Sequence, residues 1–203
     1  MITENTELMK MARKSLEGRW GQFITATLVY FALLIPVQII AAINPVAGNL
    51  ISLAISAPLA LGFIIFSLNF TRKKEAKIEN LLQGFNNYKR IFLTYLLMLI
   101  NILLRMLLLI IPGLIAAFSY SMAFYIVADN PEIDPKDALT KSKKMMMGHK
   151  WKFFDLGLRF FGWTLLAILT LGIGFIWLIP YMQVTLVNFY EDIKDKNTKI
   201  ESV

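Results

Sequence analysis

The chain has 203 residues, of which 57% are hydrophobic, and it carries a formal net charge of +7. This length predicts a single domain, and the apolar fraction exceeds the roughly 45–50% of an ordinary soluble domain. The apolar residues form long runs nearly free of charge, which is typical of an integral membrane protein. Lys and Arg lie between these runs, so an anionic membrane surface explains them better than a nucleic acid does. The absence of Cys excludes disulfides, thiolate catalysis and Cys-ligated metals.

The first third of the chain predicts an amphipathic helix followed by two membrane crossings. Residues 4–20 place apolar side chains at three- and four-residue spacing among basic ones, as in a helix on the inner membrane surface. The apolar runs 22–43 and 50–70 each have about the 20 residues needed to cross a hydrocarbon core of roughly 30 Å. The first run is too long for the apolar region of a signal peptide, so we expect it to be retained. The uncharged sequence Asn44–Asn49 between the runs predicts a turn.

The middle third repeats this order. A polar loop contains a second predicted amphipathic helix over residues 75–88, with apolar side chains on one face and Lys on the other. The apolar stretch that follows is interrupted only by Arg105 and predicts two crossings, over residues 91–110 and 113–129. A turn is expected near Pro112 and Gly113.

The last third predicts the same order again. Asp134 is a good N-cap and Pro135 a good first helical residue, so a third amphipathic helix is predicted over residues 135–148. Residues 153–170 and 174–190 predict two further crossings with a turn between them. Residues 191–203 have mixed charge and little to bury, which favours a frayed cytosolic tail.

The charge distribution predicts the orientation. The three expected outer turns contain no Lys or Arg, whereas the N-terminus, the two long loops and the tail hold 19 of the 21. The positive-inside rule places both termini in the cytoplasm. The predicted fold is therefore an all-α integral membrane protein with six transmembrane helices in three hairpins, each preceded by a basic amphipathic interfacial helix. A threefold structural repeat explains this order; so does the tendency of any cytoplasmic loop to place Lys beside Trp or Tyr at the membrane.

Basic and aromatic side chains cluster where each polar segment meets the membrane, and we predict that they are interfacial anchors. These anchors are Trp20, Tyr88, Lys89, Arg90, Lys150, Trp151 and Lys152. The chain has one His, His149 in the third cluster, which cannot by itself supply a typical metal site. The acidic residues from Asp129 to Asp137 are spaced for helix capping and loop solvation rather than for metal binding. No phosphate-binding loop or nucleophile motif is present, so the sequence nominates no catalytic residue, metal or cofactor and predicts a non-enzymatic protein.

Charged residues within the apolar runs are the best functional candidates, because they are costly in a membrane. Arg105 and Asn101, one helical turn apart, share a face that could hold an anionic ligand or lipid phosphate. Arg105 is also only about six residues, or roughly 9 Å, before the outer turn and could extend to the outer headgroups. Asp155 and Arg159 are spaced to pair with each other. Alternatively, they line a polar vestibule with Gln183 and Asn188.

From Ile111 onward the residues follow an order that resembles one known family. The resemblance is carried by Ile111-Pro112-Gly113, Asp129-Asn130-Pro131, Gly162-Trp163, Leu171-Gly172-Ile173-Gly174 and Pro180-Tyr181, with looser agreement through Gly18 and Trp20. These segments are similar to the bacterial multi-pass membrane proteins catalogued as domain of unknown function nine-seven-five. The resemblance implies a bacterial cytoplasmic membrane protein and supplies no catalytic residues. A weaker resemblance is to the membrane domain that accompanies some glycerophosphodiester phosphodiesterases, whose catalytic barrel this sequence lacks.

The sequence favours a non-enzymatic membrane protein that binds lipid, in particular anionic lipid, or a membrane-active partner, in envelope homeostasis or peptide resistance. One alternative is a small transporter or channel with a polar path through Arg105, Asn101 and Gln183. Another is an auxiliary subunit that docks a second membrane protein, and a homo-oligomer is also compatible with the sequence. No nucleic-acid partner is expected.

Overall fold

A computed structural model describes the backbone of residues 3–201 and the side chains of residues 3–195. Within this part of the chain the structure consists of helices and short connections, without a strand. The helices are α1 (Asn5–Leu16), α2 (Trp20–Ile43), α3 (Pro45–Thr71), a 3-10 helix (Ile78–Phe85), α4 (Tyr88–Leu108), α5 (Ile110–Tyr120), α6 (Ala123–Asp129), α7 (Pro135–Met145), α8 (Lys150–Leu169) and α9 (Phe175–Glu201). Helix α9 extends through most of the segment predicted as a frayed tail, and residues 202 and 203 lie outside the described chain.

Four helical segments of the described chain are long and apolar enough to cross a membrane. They are α2, α3, α4 and the segment Ile110–Asp129, which combines α5 and α6. Helix α8 is not among them because four charged side chains lie in its first ten residues, at Lys150, Lys152, Asp155 and Arg159. The all-α class is therefore confirmed, and the structure contains apolar helices that are compatible with a membrane protein.

The connection between α2 and α3 is shorter than predicted. The Asn44 side chain accepts hydrogen bonds from the backbone N–H groups of Val46 and Ala47, each at 3.1 Å, and Pro45 occupies the first helical position. A capped helix N-terminus with Pro in its first turn is a stable start. Helix α3 therefore begins directly after Asn44, and the predicted six-residue turn is replaced by this one residue.

Two other predicted helices differ in form. The segment predicted as an amphipathic helix over residues 75–88 is a 3-10 helix that covers only Ile78–Phe85. It packs closely on α3, where Gly62 lies against the backbone of Leu81 and Gly84 against the Pro58 carbonyl. The segment predicted as one helix over 113–129 is divided into α5 and α6.

A glycine marks the point where the two helices of each pair meet. Gly48 lies against Ala41, Gly113 against Met106 and Gly174 against Ala167, and each contact joins residues seven positions apart. A side chain at any of these glycines would collide with the preceding helix of its pair. The pairs α2–α3, α4–α5 and α8–α9 thus share this glycine contact, although one residue connects the first two pairs and five residues connect the third.

The short helices pack in a cyclic order. Helix α1 packs on α9, the 3-10 helix packs on α3, and α7 packs on α6 and α4. Each short helix therefore contacts the second helix of the pair before it, with α1 closing the cycle. This order is what a threefold structural repeat would produce.

The second helices of the pairs form the interior. Helix α3 contacts both α6 and α9 and has twelve buried residues, whereas α2 has four. The most exposed large apolar side chains lie near the turns of the pairs, with Ile43 81%, Leu107 86% and Leu171 95% exposed. Apolar exposure on this scale marks a surface that water does not cover, and it is compatible with a membrane location.

Candidate functional site

Arg105 lies near the end of α4, beside an aromatic ring of α5. Its Cζ atom is 5.6 Å from the centroid of the Tyr120 ring, a distance typical of a cation–π contact. The amide of Asn101, one turn earlier, donates a hydrogen bond of 2.8 Å to the Leu97 carbonyl. Within the described residues Arg105 has no acidic partner within 4 Å.

A cavity of about 380 Å³ opens between α4, α5 and α7, next to Arg105. Its polar lining comes from Asn101, Tyr120, Lys136, Thr140 and Lys143, and Leu97 and Leu139 complete it. We call these residues, together with Arg105, the basic cleft. Within the cleft, α7 supplies one face, because residues 136, 140 and 143 share one side of a helix.

The position of α7 is fixed by a buried contact to α5. The Ser142 hydroxyl, fully buried, donates a hydrogen bond of 2.8 Å to the Ser119 carbonyl. Leu139 packs with Ala116 and Tyr120 in a small core cluster. These contacts hold the neighbouring face of α7, with Lys136, Thr140 and Lys143, at the cavity.

The electrostatic character of the cleft is positive. Lys136 and Lys143 are exposed, and neither forms an ion pair within the described chain. These two cations line the cavity with one Thr hydroxyl, one Tyr and one amide, and Arg105 adds a third cation against the ring of Tyr120. Cationic and hydroxyl donors of this kind suit a phosphate group. Sequence reasoning nominated Arg105 and Asn101 and missed the residues of α7, although the spacing of Lys136, Thr140 and Lys143 could have indicated a shared face.

A second polar cluster lies where the ends of α3 and α6 meet the middle of α9. Arg72 donates to Asp129 at 2.7 and 3.0 Å and to Glu191 at 2.7 Å. Asp129 also accepts hydrogen bonds from Lys194 and, at 2.8 Å, from the Tyr190 hydroxyl. The hydrogen bonds with Asp129, followed by those with Glu191, raise the pKa of Arg72 above its ordinary value against the opposing effect of burial. We call these five residues the central ionic cluster.

The cluster corrects the sequence interpretation of Asp129. Asp129 was expected to serve helix capping or loop solvation, but its side chain is only 15% exposed and joins three helices. The sequence interpretation failed because its partners Arg72 and Tyr190 are 57 and 61 residues away.

A family model described as "Protein of unknown function (DUF975)" matches residues 1–112 and 101–197 of the chain. The chain belongs to this family. The family resemblance seen in the sequence is thus confirmed, whereas the weaker one to phosphodiesterase membrane domains is not. No curated protein and no solved structure gives a significant match.

The remaining polar candidates of this DUF975 protein do not join the basic cleft. The Asp155 carboxylate accepts hydrogen bonds of 2.8 Å from Arg159 and from Asn5, beside a surface depression near the N-terminus. Gln183 lies near the hydroxyl of Tyr125, a buried residue of α6. Asn188 donates to the Leu8 carbonyl at 3.3 Å and so helps to fix α1 on α9.

The predicted interfacial anchors of the DUF975 protein have different surroundings. Trp151 is 77% exposed and lies against Phe154, and Tyr88 stacks on Phe92. Lys89 is exposed, Lys150 is half-buried, and Trp20 lies beside the α2–α3 core.

Two basic members of the set take part in ion pairs. Arg90 pairs with the exposed Glu132, and its hydrogen bond is the main reason that the pKa of Glu132 is lowered. Lys152 pairs with Asp192 at 2.8 Å, with side-chain exposures of only 15% and 10%. Lys152 is therefore part of a buried ion pair between α8 and α9.

Proposed function

We propose that this DUF975 protein is a multi-pass protein of the bacterial cytoplasmic membrane, with six transmembrane helices in three hairpins and both termini in the cytoplasm. Four apolar helices of spanning length support the membrane location. The glycine contact that the three pairs share supports treating α8 and α9 as a third hairpin. Asn44, Leu109 and Gly172 then lie at the outer surface, and the charged first turns of α8 lie at the inner interface, in agreement with the positive-inside rule.

The function that we propose is non-enzymatic binding of an anionic lipid headgroup in the basic cleft. The observation that carries the proposal is the set of three cations, Arg105, Lys136 and Lys143, that line or adjoin one cavity without an acidic partner in the described chain. Like charges held together repel one another, and an anion between them removes that cost. A lipid phosphate supplies the charge and accepts hydrogen bonds from Lys and from the Thr140 hydroxyl.

The surroundings of the cleft favour a lipid over a free anion. Ile100, Leu103 and Leu104 on α4 are 43%, 53% and 60% exposed, close in sequence to Asn101 and Arg105. These side chains would lie along the acyl chains of a lipid whose headgroup occupies the cleft. A transport path through Arg105, Asn101 and Gln183 is less well supported, because Gln183 lies near Tyr125 of α6 and does not line the basic cleft.

Native mass spectrometry of the gently extracted protein tests the proposal. We expect the wild type to retain phosphatidylglycerol in preference to phosphatidylcholine. The double variant Lys136→Gln/Lys143→Gln should lose roughly thirtyfold in affinity, because each basic residue near an anionic surface contributes about 1 kcal/mol. Arg105→Gln should lose about fivefold to tenfold for the same reason.

Lys144→Gln is the matched control, since Lys144 is exposed on the same helix and does not line the cavity. Glycerol phosphate, added in place of the lipid, separates headgroup recognition from acyl-chain contact. Equal phosphatidylglycerol occupancy in the wild type and the double variant would contradict the proposal. Arg105 would then be an anchor that extends to the outer headgroups.

A further inference from the structure

A second cavity, of about 470 Å³, lies between α1, α2 and the α8–α9 pair. Three of the four Trp residues of the chain line it, Trp20, Trp163 and Trp177, together with Tyr181. Arg13 of α1 supplies the one charged side chain in the lining. We call this space the aromatic cavity.

The aromatic cavity and the basic cleft occupy equivalent places. The aromatic cavity lies between the α8–α9 pair and the short helix α1, and the basic cleft lies between the α4–α5 pair and the short helix α7. Tyr181 follows Gly174 by seven residues, as Tyr120 follows Gly113 by seven, and each Tyr lines its cavity. Each cavity also receives a cation from the short helix docked beside it. Arg13 precedes Gly18 by five residues, as Lys143 precedes Gly148 by five.

The backbone and burial pattern support this correspondence. Gly18 and Gly148 both have a positive φ, of 74° and 76°. The buried positions also correspond. Residues 8, 12 and 16 of α1 are buried, and so are residues 138, 142 and 146, each 130 positions later, in α7 and directly after it. At the third equivalent place α3 and the 3-10 helix lie in close contact at Gly62 and Gly84.

The chemistry of the two cavities differs. The basic cleft joins three cations to polar groups, whereas the aromatic cavity has one cation surrounded mainly by rings and aliphatic side chains. Arg13 has no acidic partner within 4 Å among the described residues. A ligand that matches this lining has one negative group for Arg13 and a long apolar body for the Trp rings.

The size of the cavity suits one hydrocarbon chain. A volume of about 470 Å³ lies within the range of about 300–1,000 Å³ that holds a drug-sized molecule. A phospholipid with two acyl chains exceeds a drug-sized molecule in bulk. We propose that the aromatic cavity binds a single-chain anionic amphiphile, with its carboxylate at Arg13 and its hydrocarbon chain against Trp163 and Trp177.

Tryptophan fluorescence tests this site directly, because Trp151 is the one Trp outside the cavity lining. In a Trp151→Phe background all remaining Trp residues line the cavity. Dibromostearate is titrated into the detergent-solubilised protein, since bromine quenches Trp fluorescence on contact. We expect saturable quenching, with affinity lowered at least tenfold by Arg13→Gln and unchanged by Lys14→Gln, a neighbouring exposed cation on α1 that does not line the cavity.

The methyl ester of dibromostearate is the matched ligand, because it keeps the chain and removes the charge. The proposal expects the ester to bind at least tenfold more weakly than the carboxylate in the wild-type cavity, a comparison that does not depend on how Arg13→Gln folds. Quenching that does not saturate, or that is equal for ester and carboxylate, would overturn the proposal. Equally strong Arg13-dependent quenching by a brominated phosphatidylglycerol would overturn the assignment to a single chain.

The aromatic cavity and the basic cleft can be tested independently. Lys136→Gln/Lys143→Gln should leave dibromostearate quenching unchanged, and Arg13→Gln should leave phosphatidylglycerol retention unchanged. Failure of one site therefore leaves the result for the other intact.

Discussion

Arg72 and Asp129 form a two-point ion pair, with Nη1–Oδ1 and Nη2–Oδ2 distances of 2.7 and 3.0 Å, although 57 residues separate them in the chain. The pair joins the end of α3 to the end of α6. Glu191 and Lys194 extend it to the middle of α9, so the ends of α3 and α6 are both tied to α9. Because the geometry is bidentate and the side chains are mostly buried, this contact is stronger than an exposed ion pair.

Asp129→Asn should lower the stability of the folded protein by about 3 kcal/mol, because breaking a buried ion pair leaves uncompensated charge. For a chain of this size such a loss corresponds to a fall in Tm of about 6–12 °C. The Tm of the detergent-solubilised protein measures it. Glu132→Gln is the control, since Glu132 pairs with Arg90 at an exposed position where an ion pair contributes about 0–1 kcal/mol. Equal Tm values for the two variants would show that the central ionic cluster does not lock the helices.

Gly62→Ala should destabilise the protein through a collision between α3 and the 3-10 helix. A methyl group at Gly62 would lie 2.9 Å from the Leu81 Cα and closer still to the Leu81 carbonyl, and backbone atoms cannot move aside easily. We expect a cost near the upper end of the about 1–3 kcal/mol typical of overpacking.

Gly157→Ala should raise the Tm, whereas Gly62→Ala should lower it. Gly157 lies within α8, and a methyl group there would meet nothing within 4 Å. Replacing a helical Gly by Ala in open space stabilises a helix by about 0.5–1 kcal/mol. A Tm that falls for Gly157→Ala, or rises for Gly62→Ala, would show that the helix contacts differ from those described.

Local patterns made the helical class and the apolar helices predictable, because hydropathy and capping depend on residues close in sequence. Asp134 and Pro135, for example, lie where α7 begins. The shortening at Asn44 was missed because a cap followed by Pro looks like a turn when the next residues are small. The contact of Arg72 with Asp129 could not be predicted, since it depends on which helix ends meet. Only part of the basic cleft could be predicted from the sequence. Arg105 and Asn101 are polar residues in an apolar run, but no local sequence pattern indicates that α7 packs beside them.

The ion pair of Lys152 is a second contact between distant residues that local sequence patterns could not predict. It was predicted to be an anchor at the membrane surface, and the structure places it in a mostly buried pair with Asp192. Lys152→Ala should therefore cost about 3–5 kcal/mol, whereas Lys10→Ala, which breaks an exposed pair with Glu7, should cost about 0–1 kcal/mol. The double variant Lys152→Ala/Asp192→Ala should recover part of the loss, because it also removes the carboxylate that has lost its Lys152 partner. A small effect of Lys152→Ala, similar to that of Lys10→Ala, would favour the anchor role instead.

The proposed six-span topology can be tested by cysteine labelling, because the natural sequence contains no Cys that would interfere. Val46, Leu109 and Ile173 lie near the three turns and are 71%, 68% and 59% exposed. Cysteine at each of these positions should react with a membrane-impermeant maleimide in intact cells. Cysteine at Glu75 or Thr140 should react only after permeabilisation, since both lie in segments that the proposed topology places in the cytoplasm.

The labelling of Ile173→Cys, near the third turn, distinguishes a topology with six spans from one with four. Helix α8 has only about ten residues after Arg159, roughly 15 Å of helix, which is half the thickness of a hydrocarbon core. If α8 and α9 cross as a hairpin, Ile173→Cys is labelled in intact cells as strongly as Val46→Cys. If they remain on the inner side, Ile173→Cys is labelled only after permeabilisation, while Val46→Cys and Leu109→Cys are labelled from outside. In that case α2, α3, α4 and the α5–α6 segment alone cross the membrane, and the aromatic cavity opens toward the cytoplasmic leaflet.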